Sequence, residues 1–164
     1  MKNVTKSLAL LLALLTLVLA FASCSKEQPA DVTLDLDALG TALSQVRYED
    51  ILVALTDETV LNTAYPVTAG AVKKVVYGGS GATPEEIILC EYENADEAAK
   101  AKTRFENHLN GKKETFDTYN AQFRPLLDDA ILEVVGKYVI YSVSADAAAA
   151  KTAIDAAKTA ASKN

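Results

Sequence analysis

The chain is poor in the residues that most often carry out chemistry: its 164 residues include one histidine, two cysteines and no tryptophan. A zinc site needs about four nitrogen, sulfur or oxygen ligands, and a catalytic zinc usually takes several of them from His or Cys. A Ser-His-Asp triad would have to use His108, and Gly79-Ser80-Gly81 lacks the spacing of a G-x-S-x-G turn. The sequence therefore predicts no metal and no cofactor, and it places His108 on the surface or boundary of a helix.

Positive charge is also scarce. The chain has 16 basic and 22 acidic side chains, and Lys2 and Lys6 are the only charged residues before position 24, so the remainder has 14 basic and 22 acidic side chains and a net charge of −8. Proteins bind nucleic acids largely by neutralising phosphates, so we expect no nucleic-acid partner. Anionic lipid head groups would repel such a domain, which argues against a basic membrane-binding patch.

The glycine-rich loop and the acidic clusters do not follow ligand-binding patterns. Gly78–Gly81 leads through Thr83-Pro84-Glu85-Glu86 into a predicted strand, whereas a P-loop continues as Gly-Lys-Ser/Thr into a helix. The aspartates at 31, 35 and 37, and those at 128 and 129, do not match the D-x-D-x-D-G calcium loop. We interpret these features as a hairpin loop, helix caps and solvated surface, while a catalytic carboxylate pair among the 22 acids stays open.

The N-terminus, by contrast, carries a clear pattern. Lys2 and Lys6 precede an uncharged stretch, Ser7–Ser25, that contains Ala22-Ser23-Cys24. Small residues directly before a cysteine suit signal-peptidase cleavage and acylation of the thiol. We therefore expect a lipoprotein signal peptide at 1–23, a lipidated Cys24 with a short tether over 24–30, and a single α+β domain over 31–164 on the outer face of the cell membrane. Two alternatives stay open, an uncleaved membrane anchor, since about 20 apolar residues can span a bilayer, and secretion without a lipid.

The second cysteine has a different environment. With Cys24 acylated, Cys90 is the only remaining thiol, which excludes an intramolecular disulfide in the mature protein. It follows Ile87-Ile88-Leu89 and precedes Glu91. A thiol in an apolar run beside an acid behaves as a small buried hydrophobe rather than as a reactive group.

Two pairs of strands, each followed by a helix, are predicted beyond residue 70. A helical lead-in near 37–46 precedes strands at 71–77, 86–92, 130–135 and 138–143 and helices around 95–119 and 145–162. The fold class is therefore α+β, a single domain with a mainly antiparallel sheet of about four strands in ββαββα order. Strand 86–92 is expected in the interior, because it is apolar on both faces. Each helix has one apolar stripe, so both are expected to cover one face of the sheet.

Tyrosine is the most frequent aromatic residue, and four of the seven tyrosines lie on predicted strands: Tyr77, Tyr92, Tyr138 and Tyr141. If they share the face opposite the helices, they form an aromatic platform suited to a sugar or a peptide. The alternative is that they are ordinary half-buried strand tyrosines.

Several short passages resemble an uncharacterised family of clostridial-type bacterial lipoproteins, domain of unknown function four-three-five-eight. The passages are Ala82-Thr83-Pro84-Glu85-Glu86-Ile87, Glu91-Tyr92-Glu93-Asn94, Phe116-Asp117-Thr118-Tyr119-Asn120 and Gly136-Lys137-Tyr138-Val139. They are similar to that family's AEEIAVFE…D, QKxxFxxY and GxYVxL patterns, over roughly residues 35–160. One departure is that the helix end reads Lys113-Glu114-Thr115-Phe116 instead of carrying Gln-Lys. The resemblance implies a compact α+β lipoprotein domain and implies no catalytic residues.

These observations favour a lipid-anchored, extracytoplasmic domain that is not an enzyme and that binds an envelope protein or peptide. One alternative is a solute-binding accessory of a transporter, although such receptors usually have two lobes and are larger than the 141 residues left after position 23. A less favoured alternative is a carboxylate-dependent hydrolase of the envelope. The sequence does not indicate an oligomeric state.

Overall fold

A computed structural model describes residues 32–162 of the chain. The predicted signal peptide at 1–23, Cys24 and the tether over 24–30 lie outside the described residues and stay predictions. Among residues 32–162, no helix is both long enough and apolar enough to cross a membrane.

The described chain contains five strands and five α-helices. The strands are β1 (Val53–Leu55), β2 (Lys73–Gly78), β3 (Glu86–Glu91), β4 (Ile131–Val135) and β5 (Tyr138–Val143). The helices are α1 (Leu36–Ser44), α2 (Glu58–Ala64), α3 (Ala95–Tyr119), α4 (Arg124–Asp128) and α5 (Ala147–Ala161), with short 3-10 turns at Pro66–Thr68 and Ala121–Phe123.

Aspartate and asparagine side chains begin the longer helices. The carboxylate of Asp35 accepts hydrogen bonds from the first turn of α1, the amide oxygen of Asn94 does so for α3, and Asp146 does so for α5. These caps satisfy backbone N–H groups that have no partner inside the helix.

The strands form one antiparallel sheet in the order β1-β2-β3-β5-β4. The α+β class, the antiparallel sheet and the four predicted strands are confirmed, with small differences in their ends. The sheet has five strands because residues 53–55 pair with β2, and α2 and α4 extend the predicted element order. Gly136 has a φ of +55° in the predicted β4–β5 turn, a conformation that glycine adopts without strain.

The centre of the sheet is apolar on both faces. In β3, Ile88 and Cys90 pack into a core on the α3 side, whereas Ile87 and Leu89 pack into a second core on the side of α1 and α5. All four side chains are fully buried. The predicted interior position of this strand and the burial of Cys90 are therefore confirmed.

The prediction that the helices at 95–119 and 145–162 cover one face of the sheet is wrong. Phe105 of α3 belongs to one core and Ile154 of α5 to the other, so these helices lie on opposite faces. The physical reason lies in β3 and β5, whose side chains are buried along both faces and must be covered by a layer on each side.

Candidate functional site: a buried pair of glutamates

Two consecutive glutamates, Glu85 and Glu86, lie at the beginning of β3 and are each only 2% exposed. Acidic side chains are rarely buried this far unless they are paired. Successive residues in an extended chain point to opposite faces, and the contacts of the two carboxylates follow that rule. The buried pair is therefore the candidate site.

Glu86 is bound by two side chains of α3. The Nε2 atom of His108 lies 2.7 Å from Glu86 Oε1, and the Nζ atom of Lys112 lies 2.8 Å from Glu86 Oε2. Residues four apart face the same side of a helix, so His108 and Lys112 reach one carboxylate together. Lys112 Nζ also donates to the backbone oxygen of Pro84 at 3.1 Å. These bonds join the centre of α3 to the edge of the β2–β3 hairpin.

The charge state of Glu86 follows from these partners. Burial alone would raise the pKa of this carboxyl, but the hydrogen bond from His108 and the positive charge of Lys112 outweigh it, so the pKa lies below its usual range. Burial, followed by the negative charge of Glu86, raises the pKa of the Tyr65 hydroxyl to about 12. The same two causes raise the pKa of Tyr141 further. Glu86 is therefore ionised at neutral pH and both tyrosines are neutral.

Glu85 is bound by backbone N–H groups, whereas Glu86 is bound by charged and aromatic side chains of α3. The Glu85 carboxylate accepts the N–H groups of Glu49 at 2.9 and 3.0 Å and of Asp50 at 2.9 Å, and the hydroxyl of Thr83 donates to it at 3.1 Å. A carboxylate that accepts several N–H bonds remains stable when buried. Glu85 therefore fastens the segment before β1 to the same hairpin.

The cluster is closed rather than open to a substrate. The side chain of Glu86 is 3% exposed and that of His108 is 18% exposed, and both Glu86 oxygens already have partners. A general base must come within hydrogen-bond distance of the proton that it removes, and a substrate would first have to displace these partners. No group of three His, Cys, Asp or Glu side chains within residues 32–162 is arranged to hold a metal ion. The arrangement suits a structural lock between α3 and the sheet.

The four tyrosines singled out by the sequence do not form a common exposed platform. Tyr92 and Tyr141 are buried in the core beneath α3, and Tyr138 is buried in the core beneath α1 and α5, which Tyr77 also contacts. A platform requires one shared solvent face, and both faces of these strands are covered by helices.

Two other sequence interpretations can be compared with the structure. Cys90 is fully buried, and burial raises the pKa of its thiol to about 12, so it is not a reactive group. His108 lies at the boundary of α3 as predicted, but its hydrogen bond with Glu86 was missed. The available signals were two adjacent acids next to a strand with no polar face, and a His-Lys pair four residues apart on a helix.

Comparisons with known proteins matched the chain to a family model. No curated protein and no solved structure matches the chain. The family described as a domain of unknown function, DUF4358, matches residues 49–144. That range begins at the residue whose N–H Glu85 binds, and it contains both glutamates and their partners. Because the match spans more than half of the sequence, the chain belongs to the DUF4358 family.

Proposed function

We propose that this protein is a lipid-anchored domain on the outer face of the cell membrane that binds an envelope protein or peptide and has no catalytic activity. The observation that carries the proposal is the sequence of residues 1–24, in which two lysines and an uncharged apolar run lead to Ala22-Ser23-Cys24. The finer family assignment, to clostridial-type lipoproteins, belongs to the same proposal.

The geometry of the acidic cluster supports a non-catalytic role. Glu86 would be the natural centre of a carboxylate-dependent hydrolase, yet its oxygens are bound by His108 and Lys112. Glu85 is likewise occupied by backbone N–H groups. Glycosidases hold two carboxyl groups on either side of a substrate cleft, whereas these two side chains are buried and their partners lie in different elements.

A groove between α1 and α5 gives little support to solute binding. It has a volume of about 300 Å³ and is lined mainly by alanines, with Leu39, Thr33 and Asp35. Small-molecule sites place several convergent polar groups in an apolar pocket, and here Asp35 already caps α1.

The anchor is expected to hold the domain close to the bilayer. Six residues, 25–30, separate Cys24 from the start of the domain, and an extended chain of that length reaches on the order of 20 Å. Since residues 24–164 carry a net charge of −8, anionic head groups repel them, and the lipid has to provide the attachment.

Metabolic labelling tests the anchor. Cells that express the full chain are grown with radiolabelled palmitate, and the wild type is expected to carry label that Cys24→Ala abolishes. Cys90→Ala is the matched control, because Cys90 is the only other cysteine and is buried, and it is expected to keep the label. Label on the Cys24→Ala variant would overturn the lipoprotein assignment.

Binding is tested separately by crosslinking at the cell surface. Reproducible capture of one envelope protein supports the proposed role. A thermal-shift screen with sugars, amino acids and metal ions provides the opposing test, because strong stabilisation by one solute would favour a transporter accessory instead.

A further inference from the structure

The two edges of the sheet are protected to very different degrees. An edge strand presents unpaired backbone N–H and C=O groups, and proteins commonly block such edges with charged side chains. At one edge, β4 carries Glu133, which forms salt bridges with Lys158 at 2.8 Å and Lys151 at 3.4 Å. All five residues of β4 are partly covered. This edge therefore carries a charged side chain that is paired with α5, and it is partly covered.

The opposite edge strand, β1, is only three residues long and carries no charged side chain of its own. Val53, Ala54 and Leu55 include no charge and no proline, and among the described residues β1 pairs only with β2. Val53 is 54% exposed, and Ile51, two residues earlier, is 81% exposed, which is the largest value among the exposed large hydrophobic residues. β1 is therefore an apolar edge that is open to pairing with another extended chain.

The charges around β1 indicate what that chain would carry. Four acids flank the strand, Glu49 and Asp50 before it and Asp57 and Glu58 after it. Of these four acids, only Glu58 forms a salt bridge within residues 32–162, to Lys74 at 2.8 Å; Asp50 accepts hydrogen bonds from Ser80, and Asp57 caps α2. A second copy would bring the same acids to the same edge, and like charges facing one another disfavour that pairing. A chain with basic side chains would be attracted.

From this geometry we propose that β1 is the docking edge for an extended partner segment in which apolar and basic residues alternate. The segment adds a sixth strand beside β1, its backbone binds the free edge, and its apolar side chains contact Ile51 and Val53. The inference rests on the proposed binding function and specifies the surface and the partner chemistry.

A peptide titration tests the edge directly. The probe is a fluorescent nine-residue peptide of alternating Lys and Val, titrated by anisotropy against the detergent-solubilised full chain. The peptide is expected to bind, and its affinity is expected to fall as salt is added. Methylation of alternate backbone nitrogens is expected to lower the affinity at least about tenfold, since each backbone hydrogen bond contributes modestly and several are lost. A Glu-Val peptide of the same length is expected not to bind.

Matched variants locate the site. Ile51→Lys and Val53→Lys place a positive charge at exposed positions. Because like charges repel, each is expected to lower the affinity for the Lys-Val peptide at least about fivefold. Val72→Lys is the control, because Val72 is 65% exposed and lies outside β1, and it is expected to leave the affinity unchanged. Circular dichroism verifies that all three variants are folded.

The outcomes that would contradict the docking edge differ from those that would contradict the proposed binding function. No binding of the Lys-Val peptide, equal binding of the Glu-Val peptide, or equal effects of Val53→Lys and Val72→Lys would each overturn the edge assignment. A dimer that Val53→Lys dissociates would identify a second copy as the occupant and overturn it as well. A photocrosslinker at position 53 that captures only the chain's own N-terminal residues would do the same. Capture of an envelope protein through another surface would overturn the edge while leaving the binding role intact.

Discussion

The two faces of the sheet bury their side chains with different chemistry. Beneath α3 the core contains aromatic rings, with Phe105 and Tyr141 6.0 Å apart and His108 5.7 Å from Tyr141, next to the ionised Glu86. Beneath α1 and α5 the core is mostly aliphatic, with Leu39, Leu43 and Ile154 among its buried residues. One face therefore includes the buried contacts of Glu86 with His108 and Lys112, and the other consists of close aliphatic packing.

The family match covers the helix on one face of the sheet but not the two helices on the other. Residues 49–144 include the whole sheet and α3, whereas α1 and α5 lie outside that range. On its own, the matched region would leave Ile87, Leu89 and Ile140 without the helices that cover them. The contacts of Glu86 lie inside the matched range, and α1 and α5, which cover the other apolar face, lie outside it.

The largest expected effect comes from placing a charge beneath the flanking helices. Leu89→Asp buries an unpaired carboxylate at a site with no solvent access, so we expect the domain to be unfolded at neutral pH. Lys151→Asp, on the exposed side of α5, is expected to change the free energy of unfolding by less than about 1 kcal/mol. Circular dichroism and urea denaturation measure both. A folded Leu89→Asp variant would show that this face tolerates charge.

The next effect compares Glu86, which contacts His108 and Lys112 of α3, with Glu133, which contacts two lysines of α5 on the other face of the sheet. The side chain of Glu86 is 3% exposed and that of Lys112 is 23% exposed, so Glu86→Gln replaces a buried charge-assisted contact with a neutral amide and is expected to lower the free energy of unfolding by about 1.5–3 kcal/mol. Glu133→Gln removes an acid that is 24% exposed and bound to Lys151 and Lys158, with an expected loss below about 1 kcal/mol. Equal losses in urea denaturation would remove the distinction between the two faces.

Unfolding measured over a pH series tests whether the charge of Glu86 stabilises the fold. Because its partners hold the pKa of Glu86 below the ordinary value of 4.5, ionised Glu86 stabilises the fold above pH 4.5, and this contribution is lost as the pH falls through the folded-state pKa. The difference in unfolding free energy between wild type and Glu86→Gln is therefore expected to shrink as the pH falls below 4.5. A difference that persists unchanged at pH 3 would contradict the ion pair as its source.

The smallest effect tests close packing through two helical glycines. A Cβ atom at Gly40 of α1 would lie 2.7 Å from Val75 Cγ1, whereas a Cβ atom at Gly111 of α3 would have no neighbour within 4 Å. We expect Gly40→Ala to destabilise the fold by about 1 kcal/mol, because overpacking exceeds the gain in helix propensity. Gly111→Ala is expected to stabilise it by about 0.5–1 kcal/mol. Thermal denaturation of both variants gives the two signs, and a stabilising Gly40→Ala would show that α1 has room to move.

The candidate site shows where prediction from sequence stopped. The apolar run of β3 indicated a buried strand, and the two glutamates before it were visible, yet no local pattern showed that His108 and Lys112, more than 20 residues later, bind one of them. β1 was missed as a strand for a similar reason, since three residues are too few for a periodic signal and their pairing with β2 is non-local. Tyr77, Tyr138 and Tyr141 lie on strands as predicted, and Tyr92 directly follows the last residue of β3, but the sequence did not show which face each occupies.

The sequence by itself determined the features that depend on neighbouring residues. Four strands, their hairpin turn at Gly136, the interior position of β3 and the burial of Cys90 follow from apolar runs and turn residues that are read locally. The lipoprotein pattern at residues 1–24 is equally local and stays a prediction. Only the tertiary structure decided which face each helix covers, which side chains bind Glu86 and which strands lie at the two edges of the sheet. An apolar stripe shows that a helix must be buried, but either face of a doubly apolar sheet can bury it, and the choice depends on contacts between residues far apart in the chain.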